Sequence, residues 1–221
     1  MHKESAGNLP GRFLEPRVRA LVTGFEPFGG ENINASREAV LRLPPRVDGI
    51  EIATAILPTS YARSIAELDA AIVRTRPRIV LCVGQAGDRA ALNLERVAIN
   101  VQDASLADND GVQPVDRPVV AGGPPACFAT LPIRKAVAAL QAAGLAAQLS
   151  NSAGTFVCNH VFYGLMRLAA RGRHRFKAGF LHVPQLPAQA EAGEAPSMAL
   201  EDIVRGIEVI LLVSAAETGR I

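Results

Sequence analysis

The run Leu145-Ala-Ala-Gln-Leu-Ser150, Asn151-Ser-Ala-Gly-Thr-Phe-Val-Cys158-Asn159-His160, followed by Ala178-Gly-Phe-Leu-His182-Val183-Pro184, decides how this chain is read. Leu145 to Ser150 reads as a strand. A short Ser/Gly/Thr turn follows. Val157, Val161, Leu165 and Leu168 then recur at helical spacing, with Thr155 as the expected N-cap. That spacing places the Cys158 sulfur in the first helical turn. There the unpaired N–H groups and the positive end of the helix dipole favour a thiolate, the form that attacks carbonyls.

A cysteine nucleophile needs a base, and often a third group that orients it. Of the histidines, His2 lies in the N-terminal segment and His174 in the basic run Arg171 to Lys177, which reads as a solvated loop. His160 follows Cys158 by two residues, an offset that turns it roughly 200° around a helix and away from the sulfur. His182 ends a strand just before Pro184. Sites in open α/β sheets gather at the carboxyl ends of strands. Cys158 and His182 are both expected to follow strands at that edge, which favours His182 as the base. Glu95 is an acid inside the otherwise apolar run Leu92 to Val101. An ion pair with a neighbouring arginine and an orienting bond to His182 are both open readings of it.

The remainder of the chain alternates strand and helix patterns. Strands are expected at 19–24, 50–57, 79–83, 92–101, 145–150 and 178–183. Helices are expected at 36–43 (capped by Ser36), 60–75, 131–143, 157–170 and 198–217. This pattern predicts an α/β fold, a single-domain three-layer α/β/α sandwich around a mixed, mostly parallel twisted sheet. Residues 1–17 read as a flexible N-terminal extension without the apolar core of a signal peptide, and 18–221 as one catalytic domain. Residues 102–125 form an Asp/Asn/Pro/Gly loop too long for a mere connector.

The 221 residues are 49% hydrophobic and 20% charged, with a formal net charge of +2. That charge argues against nucleic acid as a partner, and no apolar run reaches a membrane span. Three cysteines, Cys82, Cys127 and Cys158, suit a reducing cytoplasm better than a disulfide scaffold. No His/Cys/Asp grouping has metal-ligand spacing. Residues 23–30 lack the Gly-Lys-Ser/Thr ending of a phosphate loop, and Gly84-x-x-Gly87 is not a dinucleotide fingerprint. No cofactor is expected.

Five motifs in register carry a resemblance. Thr23-Gly-Phe-Glu-Pro-Phe-Gly-Gly30, Gly84-Gln-Ala-Gly87 with Leu94-Glu-Arg-Val-Ala-Ile-Asn100, Asp108-Asn-Asp-Gly111, Ser152 to Asn159 and Phe180-Leu-His-Val-Pro184 resemble those of pyroglutamyl-peptidase I, or pyrrolidone carboxyl peptidase. The resemblance implies a cytoplasmic cysteine peptidase that hydrolyses the bond after an N-terminal pyroglutamyl residue of peptides through a thioester. It implies a catalytic triad of Glu95, Cys158 and His182. A ring pocket would be built from Phe25, Phe28, Phe156 and Val157, with Asn34 and the Gln85 backbone on the lactam polar atoms. It also implies a homotetramer. The chain departs from the pattern at Asn93, where the family usually has Ser or Thr, at Ser105, where it usually has Arg, and in a longer N-terminal extension. Backbone N–H groups near Cys158 are the expected oxyanion donors. A related amidase acting on another small cyclic or glutamine-like amide, and a silent module that recognises pyroglutamyl ends, are the competing readings.

Overall fold

A computed structural model describes residues 18–172, 175–190 and 196–218. The expected N-terminal extension, with His2, and Arg173 and His174 of the basic run lie outside them. The strands are β1 (Arg19–Phe25), β2 (Arg46–Val47), β3 (Ile50–Leu57), β4 (Ile79–Gln85), β5 (Leu92–Glu95), β6 (Val97–Ile99), β7 (Ala126–Phe128), β8 (Ala147–Ser150) and β9 (Lys177–Val183). The helices are α1 (Ala35–Arg42), α2 (Ser64–Thr75), α3 (Ile133–Ala142), α4 (Val157–Ala170) and α5 (Leu200–Thr218).

A seven-stranded sheet runs in the order β2-β3-β1-β4-β9-β5-β8, and β6 and β7 form a separate antiparallel pair. Strands β3, β1, β4 and β9 are mutually parallel, while β5 is antiparallel to β9 and parallel to β8. The central strands are apolar on both faces, as burial between two helical layers requires. Ala20 and Val22 of β1, Ile79, Leu81 and Val83 of β4, and Leu181 and Val183 of β9 face the layer of α1, α3 and α5. Leu21, Val80, Cys82, Ala178 and Phe180 face α2 and α4. The three-layer sandwich around a mixed, mostly parallel sheet is therefore present, in one domain.

The local differences from the sequence reading have local causes. Asn34, not Ser36, caps α1: its Oδ1 accepts from the Ser36 N–H at 3.0 Å and from the Ser36 hydroxyl at 2.7 Å. The hydroxyl in turn accepts from the Phe25 N–H. Thr155 does not cap α4. Its hydroxyl donates to the Asp103 carbonyl at 2.6 Å, and Phe156 takes the cap position in extended geometry without a side-chain bond. The apolar run 92–101 is not one strand: it breaks at Arg96, so β5 stays in the main sheet and β6 leaves to pair with β7. Residues 60–63 precede α2 rather than forming its first turn.

The placement of Cys158 also differs from expectation. Because β8 is antiparallel to β9, their carboxyl ends lie at opposite edges of the sheet. Cys158 does not share an edge with His182 by following a parallel strand. The segment 151–156 brings the chain back across the α2/α4 face instead, and Asn159 secures its arrival. The fully buried Asn159 side chain accepts from the Ile99 N–H and donates to the carbonyls of Ile99 and Val101, each at 2.9 Å. Asn159→Ala strands one donor and two acceptors, and the expected loss is about 2–4 kcal/mol of unfolding free energy. Urea titration checks this, with an unchanged midpoint as the contrary result.

Candidate active site

The alternation of β4, β5 and β9 sets one face of the site. Gly84, His182, Asn93 and Glu95 occupy the positions whose side chains face α4, since their apolar neighbours fill the opposite layer. Gly84 registers opposite His182 on the parallel side, Asn93 opposite His182 on the antiparallel side, and Glu95 opposite Phe180. Glu95 thus lies one pleat deeper than His182 and diagonal to it, within side-chain reach.

His182 Nδ1 lies 2.8 Å from Glu95 Oε1. A carboxylate has no proton to give, so Nδ1–H donates and the other ring nitrogen is left to face the sulfur. The Cys158 side chain also acts on the ring, favouring its protonated form. Burial works against an imidazolium here, but the Cys158 sulfur and the Glu95 carboxylate outweigh it and push His182 up to about 9. The Cys158 sulfur approaches the sheet so closely only because residue 84 is glycine. A Cβ there would lie 2.7 Å from Cys158 Sγ and 2.9 Å from the Phe180 ring. Cys158 is the second residue of α4, and the first N–H groups of a helix have no intrahelical acceptor. Amide donors therefore lie beside the sulfur.

Glu95 is fully buried and meets both a histidine and an arginine. Besides its bond to His182, its Oε1 lies 3.9 Å from the guanidinium of Arg89. Arg89 also donates to Asn93 Oδ1 at 3.2 Å, Ser150 Oγ at 3.2 Å and the Ser152 carbonyl at 3.1 Å. It ties the carboxylate to the turn that leads to Cys158. Nothing in the sequence marked Arg89; its signal is spacing, since it lies between Gly87 and the Glu95 strand. His160 serves elsewhere. Its Nδ1 accepts from Gln102 Nε2 at 2.9 Å, its ring meets Tyr61 edge-on, and burial pulls it down to about 4.

Phe25, Phe28, Asn34, Gln85, Phe156 and Val157 line one slot together with Cys158 and Thr59, which the sequence reading missed. Phe28 packs on Phe156 at 5.7 Å, and Phe156 meets Tyr61 edge-on at 5.8 Å. The Gln85 side chain is already engaged, its Oε1 accepting from the Ala35 N–H at 2.6 Å and from Gln189 at 3.1 Å. Asn34 Oδ1 is committed to its cap, and its Nδ2 donates to the Glu26 carbonyl. Ser105 is exposed and lies two residues beyond Asp103, whose N–H donates to the Thr155 carbonyl. Among the described residues no group of three or more His, Cys, Asp or Glu could hold a metal ion, and no helix is long and apolar enough to cross a membrane.

The profile of the pyroglutamyl peptidase family matches residues 18–217. The chain belongs to this family. It is 51% identical over 193 residues to pyrrolidone-carboxylate peptidase 1 of Ralstonia nicotianae, covering 86% of this chain and 90% of that one. It is 49% identical over 200 residues to the pyrrolidone-carboxylate peptidase of Erwinia tasmaniensis, covering 90% and 93%. Among solved structures, pyroglutamyl peptidase I from Bacillus amyloliquefaciens superposes with a TM-score of 0.89 at 41% identity, covering 92% and 97%. Pyrrolidone carboxyl peptidase from Thermococcus litoralis superposes at 0.88 with 34% identity, covering 92% and 96%.

The elevated proton affinity of His182 depends on its partners. In Cys158→Ser the sulfur's charge is gone, and burial then opposes Glu95 alone. The His182 titration, followed by NMR of its ring protons, is expected to fall well below about 9 in that variant. An unchanged midpoint would separate the cysteine from the histidine electrostatically.

Proposed function

We propose that Cys158 is the nucleophile, His182 the proton carrier and Glu95 the orienting carboxylate in hydrolysis of the bond after an N-terminal pyroglutamyl residue. The observation that carries this reading is the buried Glu95–His182 bond set beside the Cys158 sulfur, which reaches the sheet at Gly84, opposite His182, and lines an aromatic slot. Residues 18–221 are the proposed catalytic unit, and peptides with a pyroglutamyl end are its substrates.

The chemistry follows from the geometry. A pyroglutamyl ring has no free amine, so a carboxylate clamp for an α-ammonium has nothing to hold. A neutral lactam suits a slot of Phe25, Phe28, Phe156 and Val157 with a few polar groups at its edge. Cys158 sulfur attacks the carbonyl that joins the ring to the next residue. The oxyanion forms beside the free N–H groups at the start of α4. His182 then gives its proton to the leaving amine, the C–N bond breaks, and a thioester remains. His182 next takes a proton from water as the water attacks the thioester, which releases pyroglutamate and restores the sulfur. Glu95 holds the ring in the required tautomer and offsets its positive charge throughout.

We place this activity in the cytoplasm, on the support of three free cysteines. The proposed assembly is a homotetramer. Its support is a wide apolar groove of about 870 Å³ beside the carboxyl end of α4, well away from the slot, with Phe128 65% exposed at its rim. Phe128→Glu is expected to lower the mass seen by light scattering. A monomeric wild type, or an unchanged assembly in the variant, would contradict this.

Fluorophore release from pyroglutamyl-aminomethylcoumarin under reducing conditions tests the activity. Turnover is expected from the wild type and none from Cys158→Ser. Turnover by that variant, or none by folded wild type, would overturn the assignment. His182 must be protonated to release the amine, so activity is expected to fall as pH climbs through about 9. Glu95→Gln removes a charge that favours the imidazolium, so the same limb should move to lower pH. A limb that stays in place would remove Glu95 from the proton chemistry.

A further inference from the structure

The loop 102–125 is built around Asp108, which is buried. Asp108 Oδ1 accepts from the N–H groups of Asp110 at 3.0 Å and Val112 at 2.8 Å, and its Oδ2 accepts from the Tyr61 N–H at 2.8 Å. Asp110 receives both Arg63 Nε and Nη2, at 2.9 and 2.8 Å, and the Ser60 hydroxyl at 2.6 Å. The turn is therefore fixed on the segment 59–63 that follows β3. Between the two acids, Asn109 points the other way. Its N–H donates to the Thr59 carbonyl at 3.0 Å and its Nδ2 donates to the Pro27 carbonyl at 2.9 Å.

Asn109 thus joins two strand-end segments that both line the slot. The Pro27 carbonyl belongs to the peptide that carries Phe28, so holding it sets the direction in which the Phe28 ring leaves the chain. Beyond Phe28 the chain turns through Gly29 and Gly30, at φ 65° and 83°. Before it, Glu26 is held by its N–H to Leu57 and by Asn34 and Thr59 on its carbonyl. The Asn109 bond is the last fixed point before the ring.

The slot has room for about one water molecule. A five-membered lactam enters only if a wall moves. Phe25 is buried in the core, and Phe156 is packed between Phe28 and Tyr61. Phe28 is only partly buried and adjoins the glycine turn, which makes it the movable wall.

We propose that Asn109 is a positioning residue for substrate specificity: through the Pro27 carbonyl it returns the Phe28 ring to the closed slot and so determines how tightly the pyroglutamyl ring is held. The proposal rests on the reading that this slot takes that ring. Asn109 touches neither Cys158 nor His182 by any bond in the structure, so its effect falls on binding of the ring and not on the chemical step.

The test uses Asn109→Ala and Asn109→Asp, the latter similar in shape but without the amide donor. With pyroglutamyl-aminomethylcoumarin, both should raise KM about three- to tenfold, the range for one lost hydrogen bond, and leave kcat at the wild-type value. The inhibition constant of 2-pyrrolidone, which offers the ring alone, should rise by the same factor. The rate of Cys158 alkylation by iodoacetamide should not change. A KM and inhibition constant equal to wild type in either variant, a fall in kcat at constant KM, or slowed alkylation would each overturn the proposal. Absence of turnover by folded wild type would instead overturn the functional reading, and this proposal with it.

Discussion

Everything at this site depends on one reversal of strand direction. Strand β5 enters the sheet antiparallel to β9, and the register Asn93 to His182 and Glu95 to Phe180 sets the Glu95 carboxylate diagonally beneath the His182 ring. A fully buried carboxylate is costly unless it is paired and hydrogen-bonded. Here the partner that answers that cost is the imidazole, with Arg89 at longer range. The same contact that makes Glu95 tolerable in the core orients the histidine and favours its charged form. Stability and chemistry are therefore coupled at this bond, and removing either partner leaves the other buried with an unmet demand.

The sulfur is brought to this pair from a different direction. It arrives on the first turn of α4, which the Asn159 side chain anchors to the end of β6 and the chain beyond it. Gly84 leaves the space that the sulfur occupies. The result joins three separate constraints: strand register for Glu95 and His182, helix placement for Cys158, and a missing side chain at Gly84 for the approach. Facing them is a slot whose lining residues include no Asp, Glu, Lys or Arg, which suits a neutral ring and gives an ammonium no counter-charge.

Much of the architecture was legible because it rests on periodicity. Runs such as Ile79 to Val83 and Ala178 to Leu181 carry no polar side chain, which a sheet covered on both faces accommodates. The helix from Val157 to Ala170 was equally plain. What was hidden depended on long-range pairing. Nothing local tells Arg96 that the chain on its two sides belongs to different sheets, or that β8 runs against β9. Thr155 looks like a cap until Asp103, 52 residues earlier, claims its hydroxyl. Glu95 could not be assigned from spacing because its real environment holds both candidate partners. Arg89 and Thr59 are ordinary loop or edge residues whose contacts come only from what the fold brings to them.

A chloromethyl ketone of pyroglutamate tests most directly whether Cys158 is the group that bonds to the substrate carbonyl. Peptide mapping after complete inactivation is expected to find one label per chain, on Cys158, with free pyroglutamate slowing its attachment. Inactivation with the label on another residue, or with Cys158 unmodified, would contradict the account.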